Sequence, residues 1–384
     1  NETWKLGQLP KGVKPISNKW IFKTKLDAEG NYVKRKARLV AKGFTQERGV
    51  NYEETYAPVA KMTSIRLLFL IMAIFDLESR KVDFVTAFLN GEIEKGYEIW
   101  MKAPEGYNTS GLYLKLLKGL YGLKQAARLW MYKLHTWLLK LGFTQSYQDP
   151  CIYIRINVEM GETFVIGIFV DDLQLLYSKG ADVDTFLEDL KTRFKMTDEG
   201  EIKSYLGITV KRNRSKKIVS LSQNYYIESM LEKFGMGECA PVATPMETHF
   251  KIDHDKESMS ADEIIKMKEI PYREAIGSLM YLMVSTRPDI AYAISVLSRY
   301  SSCPSRRHWK GVKRVFRYLK GTMDLSLQLG GELTDIAPML IGYADADYGG
   351  DLNSSRTKHI DIAYNFVYEK VQEHVVELKY IPTK

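Results

Sequence analysis

IGIFVDDLQLLY, residues 166–177, sets two adjacent aspartates inside an otherwise apolar run. Ile166, Ile168, Phe169, Val170, Leu173, Leu175 and Leu176 predict buried strand. A buried carboxylate is costly unless it is paired, hydrogen-bonded or bound to a metal. Successive side chains on a strand face opposite ways, so Asp171 and Asp172 converge on one point only where the strand bends. The stretch therefore predicts a hairpin tip. Like charges held close raise each other's pKa unless a cation neutralises them. Mg²⁺ suits such a place, because it takes oxygen ligands, uses few carboxylates and leaves positions for phosphate oxygens. RKVDFVTAF, residues 80–88, offers a third carboxylate, Asp83, in a strand that leads into a turn. Three carboxylates from two strands point to two-metal phosphoryl transfer. An exposed hairpin turn is the plainer reading of the DD pair alone. Composition and spacing do not choose between polymerase, nuclease and cyclase.

The 384-residue length suggests two to four domains with ample core. With 45% hydrophobic and 27% charged residues the chain reads as globular, not disordered. The longest apolar run, Ile65–Phe75, is interrupted by Arg66 and is too short to span a bilayer. No signal-peptide pattern follows Asn1, and the chain reads as a fragment of something longer. Cys151, Cys239 and Cys303 form no CxxC pair and the six histidines are scattered, which argues against a zinc site or disulfide framework and for a reducing compartment. Residues 1–50 hold twelve Lys/Arg against four acids and so carry the whole net charge of +8. CPSRRHWKGVKRVFRYLKGT, residues 303–322, adds seven Lys/Arg and no acid. Two such runs indicate a polyanionic partner.

Alternation on either side of Asp27–Asn31, with Gly30 in the turn, predicts a long basic hairpin in KWIFKTKLDAEGNYVKRKARLVAKGF. TSIRLLFLIMAIF predicts a helix capped by Thr63 or Ser64. A Gly-containing turn and a long amphipathic helix through about Leu141 follow from LYLKLLKGLYGLKQAARLWMYKLHTWLLKLGF. CIYIRI and ETFVIGIFVDDLQLLYSKG predict strands, DVDTFLEDLKTRFKM a helix, YLGITVKRNRSKKIVSLSQ a hairpin and NYYIESMLEKFG a helix ending at Gly235. A loop-like stretch over residues 241–262 precedes further helices at residues 270–302 and 308–321, and the tail from 338 opens with a strand-like segment.

Taken in order, KARLVAKGFTQERGVNYEETYAPV, VDFVTAFLNGEI, LKGLYGLKQAARLW, FVDDLQLL, SYLGI and GSLMYLMVSTRPDIAYAISVLSRY resemble the reverse transcriptase of copia-type retrotransposons, collinearly from residue 1 to about 350. The resemblance implies an α+β right-hand polymerase: fingers and palm over 1–215, thumb over 216–262, a connection region over 263–335 and a truncated RNase H-like remnant over 336–384. It implies an RNA-directed DNA polymerase that extends a primer 3′-hydroxyl with deoxynucleoside triphosphates. Asp83, Asp171 and Asp172 match its catalytic, metal-binding aspartates; Asp83 and Asp171 would be the direct ligands of two Mg²⁺ ions, with Mn²⁺ as an alternative, Asp172 would assist, and the Phe84 carbonyl would also be in reach.

The nucleotide site follows by the same resemblance. Arg38 matches the arginine that clamps the triphosphate, since its fork can donate two hydrogen bonds to phosphate, and Lys36 would be a second donor. Phe88 matches the ring beneath the incoming sugar, which leaves no space for a 2′-hydroxyl. Tyr121, Gly122 and Lys124 match the segment bordering the nucleotide, and Ala127 stands where the family usually has Pro. Tyr205, Leu206 and Gly207 match the primer grip. The basic helix around 310–319 would follow the duplex backbone. In the tail, Asp345 and Asp361 match the first and last RNase H acids, but nothing lies between Arg356 and Thr357 where half a domain is expected, so RNase H activity is expected to be absent. Implied partners are an RNA template, a DNA primer, deoxynucleoside triphosphates and the integrase and protease segments of a Pol polyprotein, in cytoplasmic virus-like particles and with no membrane. A catalytically decayed nucleic-acid-binding relic is the alternative from another class, and a palm-type nucleotidyltransferase or cyclase is a third.

Overall fold

The computed structural model describes residues 2–26, 32–247 and 261–331. Among them, the site-bearing sheet has six strands in the order β11-β4-β10-β9-β8-β7, every neighbouring pair antiparallel. These are β4 (Glu78–Phe84), β7 (Thr144–Gln145), β8 (Ile152–Asn157), β9 (Glu162–Phe169), β10 (Asp172–Tyr177) and β11 (Met196–Asp198). Strand alternation divides their residues between two faces. Val82 and Phe84 point to the face covered by α2 (Ala126–Lys140) and α3 (Val183–Arg193), where the Phe84 ring meets Trp130 at 4.8 Å and Phe194 at 5.7 Å. Asp83, Lys81, Asp172 and Gln174 point to the other face. There α1 (Met62–Ile74) packs so close that a Cβ on Gly167 would lie 2.5 Å from Leu68 Cδ1. The expected Thr63 or Ser64 cap of α1 is not what forms: the helix starts at Met62, and buried Asp149, far along the chain, accepts the Lys61 N–H at 3.0 Å.

The expected basic hairpin is present as β2 (Asn18–Leu26) and β3 (Tyr32–Ala41), in register from Asn18↔Ala41 to Lys25↔Lys34. Its expected turn, with Gly30, lies outside the described residues. The chain also forms a small sheet β1-β6-β5, from β1 (Trp4–Gly7), β5 (Trp100–Met101) and β6 (Tyr113–Leu116), whose core includes Leu39 and Ala41 at the root of the ribbon.

A third sheet has the order β12-β13-β14-β15: β12 (Ser204–Tyr205), β13 (Ile208–Asn213), β14 (Ile218–Ser222) and β15 (Leu327–Gly330). Between β14 and β15 the chain makes a helical excursion through α4 (Asn224–Lys233), α5 (Ala261–Lys268), α6 (Tyr272–Ser285), α7 (Ala291–Ser298) and α8 (Arg306–Gly321). It then returns to pair Leu327 with Leu221. α4, α6, α7 and α8 share one core, in which Leu279, Leu297 and the expected apolar stripe of α8 (Val312, Val315, Phe316, Leu319) are all fully buried.

One polar knot in this helical unit has no obvious sequence signature. The Arg287 side chain is only 2% exposed. It forks onto Asp289 at 2.7–3.2 Å and donates to the Thr322 carbonyl at 3.0 Å and hydroxyl at 2.6 Å, while the Tyr318 hydroxyl donates to Asp289 at 2.8 Å. It ties the α6–α7 turn to the end of α8.

Candidate active site

The DD pair is at the tip of the β9–β10 hairpin. Phe169 pairs with Asp172, leaving Val170 and Asp171 as a two-residue turn. Val170 has φ +58°, a left-handed conformation that a β-branched residue rarely adopts and that costs about 1–3 kcal/mol. The buried Trp130 indole donates to the Val170 carbonyl at 2.7 Å and holds the turn from below.

Asp172 is directly opposite Asp83 on β4. The Phe84 amide donates to the Asp171 carbonyl at 2.9 Å, which makes the Asp83–Asp172 pair a non-hydrogen-bonded one. In such pairs the Cα atoms are about 4.5 Å apart and the side chains are at their closest. Burial pushes the Asp172 carboxyl above its ordinary pKa; Lys81 pulls against this, and the charges on Asp171, Asp83 and Glu199 push the same way as burial. The three expected aspartates therefore share one electrostatic neighbourhood. Their side chains are not gathered as a closed cage: among the described residues no three His, Cys, Asp or Glu groups are arranged to hold a metal ion. The donor set nevertheless suits a hard cation such as Mg²⁺, which keeps several waters and needs only one or two carboxylates.

Lys81 was not singled out from the sequence, although it is within RKVDFVTAF. Its ammonium is 2.8 Å from Glu199 and 3.7 Å from Asp172. Trp130 and Glu199 were missed as well, because the contacts that matter come from distant segments.

On the other side of the aspartates, the Arg38 guanidinium is 5.6 Å from the centre of the Tyr121 ring, and Tyr121 meets Phe88 edge-on at 4.9 Å. Burial and the negative charges of Asp171 and Asp83 raise the Tyr121 pKa, against Arg38, which lowers it. Tyr121 thus feels the charge of the aspartates, with Arg38 and Phe88 packed against its ring. Lys36 is two residues from Arg38 on the same face of β3. The ribbon is seated by the Ala41 amide, which donates to the Tyr121 carbonyl at 2.8 Å. Gly122 takes φ +89° there, and a Cβ on it would lie 2.1 Å from the Ala41 carbonyl oxygen. Lys124 is directed elsewhere: its ammonium donates to the Gln46 carbonyl at 3.1 Å and the Tyr52 hydroxyl at 3.0 Å.

The Tyr205-Leu206-Gly207 turn connects β12 to β13, with left-handed Leu206 (φ +49°) and Gly207 (φ +72°). Buried Tyr205 donates from its hydroxyl to the Asp172 carbonyl at 3.4 Å, and Tyr281 of α6 donates to the Leu206 carbonyl. This expected turn is therefore beside the aspartates. On α8, Arg314 pairs with Glu247 at 2.9 Å, Arg317 donates to the Ala240 carbonyl at 2.7 Å, and Lys320 donates to the Gly237 carbonyl. Part of the basic face expected for a duplex is thus spent on the chain itself, and Arg306, Lys310 and Lys313 are exposed. Asp345 and Asp361 lie outside the described residues.

Residues 1–248 match the family model described as reverse transcriptase (RNA-dependent DNA polymerase). The chain is 40% identical over 360 residues to the retrovirus-related Pol polyprotein from transposon TNT 1-94 of Nicotiana tabacum, covering 93% of this chain and 27% of that protein. It is 35% identical over 358 residues to the Pol polyprotein from transposon RE2 of Arabidopsis thaliana, covering 91% of this chain and 23% of that one. The chain thus spans about a quarter of the length of these relatives. A solved structure of the foamy viral protease-reverse transcriptase in complex with dsDNA aligns over 86% of this chain and 56% of that one, with TM-score 0.43 and 11% identity. No helix among the described residues is long and apolar enough to cross a membrane. With the family model covering 248 of its 384 residues and copia-type Pol polyproteins matching along nearly all of it, the chain belongs to the reverse transcriptase (RNA-dependent DNA polymerase) family.

Proposed function

We propose that this chain is the polymerase part of a retrotransposon Pol polyprotein and extends a primer 3′-hydroxyl with deoxynucleoside triphosphates on an RNA or DNA template. The observation that carries the reading is Asp83 directly opposite Asp172, beside the strained Val170–Asp171 turn. Two bound Mg²⁺ ions would activate the attacking hydroxyl and steady the in-line transition state. The chain's own residues do the rest. Asp83 and Asp171 would hold the ions and Asp172 would assist. Arg38, with Lys36, binds the triphosphate, Phe88 excludes a 2′-hydroxyl, and Tyr121 and Gly122 line the nucleotide's edge. The Tyr205-Leu206-Gly207 turn orients the primer end. The reading keeps fingers and palm in 1–215, thumb in 216–262 and connection in 263–335. It holds RNase H activity to be absent, and assigns the remaining polyprotein segments, virus-like particles and a cytoplasmic site to the parent element.

Asp171→Asn is expected to abolish primer extension on poly(rA)·oligo(dT) and to leave duplex binding nearly intact; a variant that still extends would refute the assignment. The relic reading has one observation in its favour, Lys81 beside Asp172 where an open metal site is wanted. Thermal melting separates the two. A polymerase is stabilised by Mg²⁺ with matched nucleotide on primer–template, whereas a relic gains only from duplex, with steep salt dependence.

A further inference from the structure

Lys81 stands two residues before Asp83 on the same face of β4, diagonal to Asp172. Its side chain is 18% exposed, and its two acidic partners are unequal: Glu199 at 2.8 Å and Asp172 Oδ1 at 3.7 Å. Glu199 is there by backbone pairing. Its amide donates to the Lys81 carbonyl at 2.8 Å, and the Lys81 amide donates to the Gly200 carbonyl at 2.8 Å. Asp198 accepts the Gly200 amide at 2.9 Å and closes the loop. The lysine therefore has a fixed near partner and a longer, weaker contact with the carboxylate cluster.

We infer that Lys81 is a tethered counter-cation of the aspartate cluster, which competes with a divalent cation for Asp172, retreats onto Glu199 when that cation binds, and so sets the cation's affinity. The inference rests on reading Asp83, Asp171 and Asp172 as a divalent-cation site. A unit positive charge a few ångströms from a divalent ion in a partly buried site is strongly repulsive. A lysine with no second partner would pair with Asp172 outright. Glu199 converts that block into a threshold, because the ammonium trades one contact for another it already has.

The test is Mn²⁺ binding to the full chain without nucleotide or nucleic acid, read by the EPR signal of the free ion, with folding checked by circular dichroism. Lys81→Gln is expected to bind Mn²⁺ at least about tenfold tighter than wild type, and Lys81→Arg, which keeps the charge, to match wild type. Glu199→Gln is expected to weaken binding several-fold in the wild-type background, and by much less alongside Lys81→Gln, since no ammonium is left to redirect. Equal affinity of Lys81→Gln and wild type, or an equal Glu199→Gln effect in both backgrounds, overturns the inference. Asp171→Asn separates the two levels. If it loses Mn²⁺ while Lys81→Gln matches wild type, only the role of Lys81 falls. If it binds as wild type does, the cation site itself falls.

Discussion

Trp130→Phe tests how the Asp171–Asp172 tip is held. The substitution keeps an aromatic ring against Phe84 and Phe194 but deletes the donor to the Val170 carbonyl, a 2.7 Å bond from a fully buried side chain. Leaving that carbonyl without its partner costs about 1–3 kcal/mol. The lost ring volume adds about 1 kcal/mol. The expected total is about 2–4 kcal/mol, seen as a drop of several degrees in Tm. Val170→Gly acts in the opposite direction, since glycine takes φ +58° without strain, and is expected to gain on the order of 1 kcal/mol after the entropy of the added glycine is counted. The decisive measurement is the double-mutant cycle by chemical denaturation. If the indole exists to hold a strained turn, the two substitutions are coupled by about 0.5 kcal/mol or more, and Trp130→Phe costs less once Val170 is Gly. Primer extension should fall in both single variants, because each lets Asp171 move. Additive stabilities, or a Trp130→Phe variant within about 0.5 kcal/mol of wild type, would refute the reasoning.

Arg287→Ala removes one side of a buried pair and is expected to destabilise the helical unit by about 3 kcal/mol, the low end for such a loss because Asp289 is 33% exposed; urea unfolding followed by circular dichroism checks it. Burial pushes the Asp289 pKa up, but the Arg287 and Tyr318 hydrogen bonds outweigh it, and the net is a value below the ordinary one of 3.8. A depressed folded value means stability that is present above the unfolded pKa and lost as pH falls through the folded one, so acid titration should show this contribution disappearing below about pH 4, and Arg287→Ala should flatten that slope. Ala127→Pro, restoring the family's usual residue, is expected to stabilise by about 0.5 kcal/mol. Ala127 is in the first turn of α2, where no intrahelical bond is broken and the unfolded chain loses freedom; a lowered Tm would show that the turn needs the residue's N–H.

Local pattern was enough for much of this protein. The alternation around KWIFKTKL and KRKARLVA, the 3.6-residue period of α8 and the apolar run of FVDDLQLL each depend on neighbours within a few residues, so the ribbon, the helix and the hairpin tip could be read directly. The turn that brings Asp171 beside Asp172 follows from the same logic, since adjacent strand residues converge only at a bend. Asp83 opposite Asp172 is different: it depends on the register between β4 and β10, which are 89 residues apart at that pair, and the sequence suggested the partner without being able to align it. Only the tertiary structure decided that Asp149 rather than Thr63 or Ser64 serves the start of α1, that Lys124 turns toward Gln46 and Tyr52, and that Lys81 stands between Asp172 and Glu199. It also decided that α8 spends Arg314, Arg317 and Lys320 on residues 237–247. The reason is common to all four. A polar side chain of given type can satisfy its charge or hydrogen bonds with many partners, and which one it meets is set by how distant segments pack, not by the residues beside it in the chain.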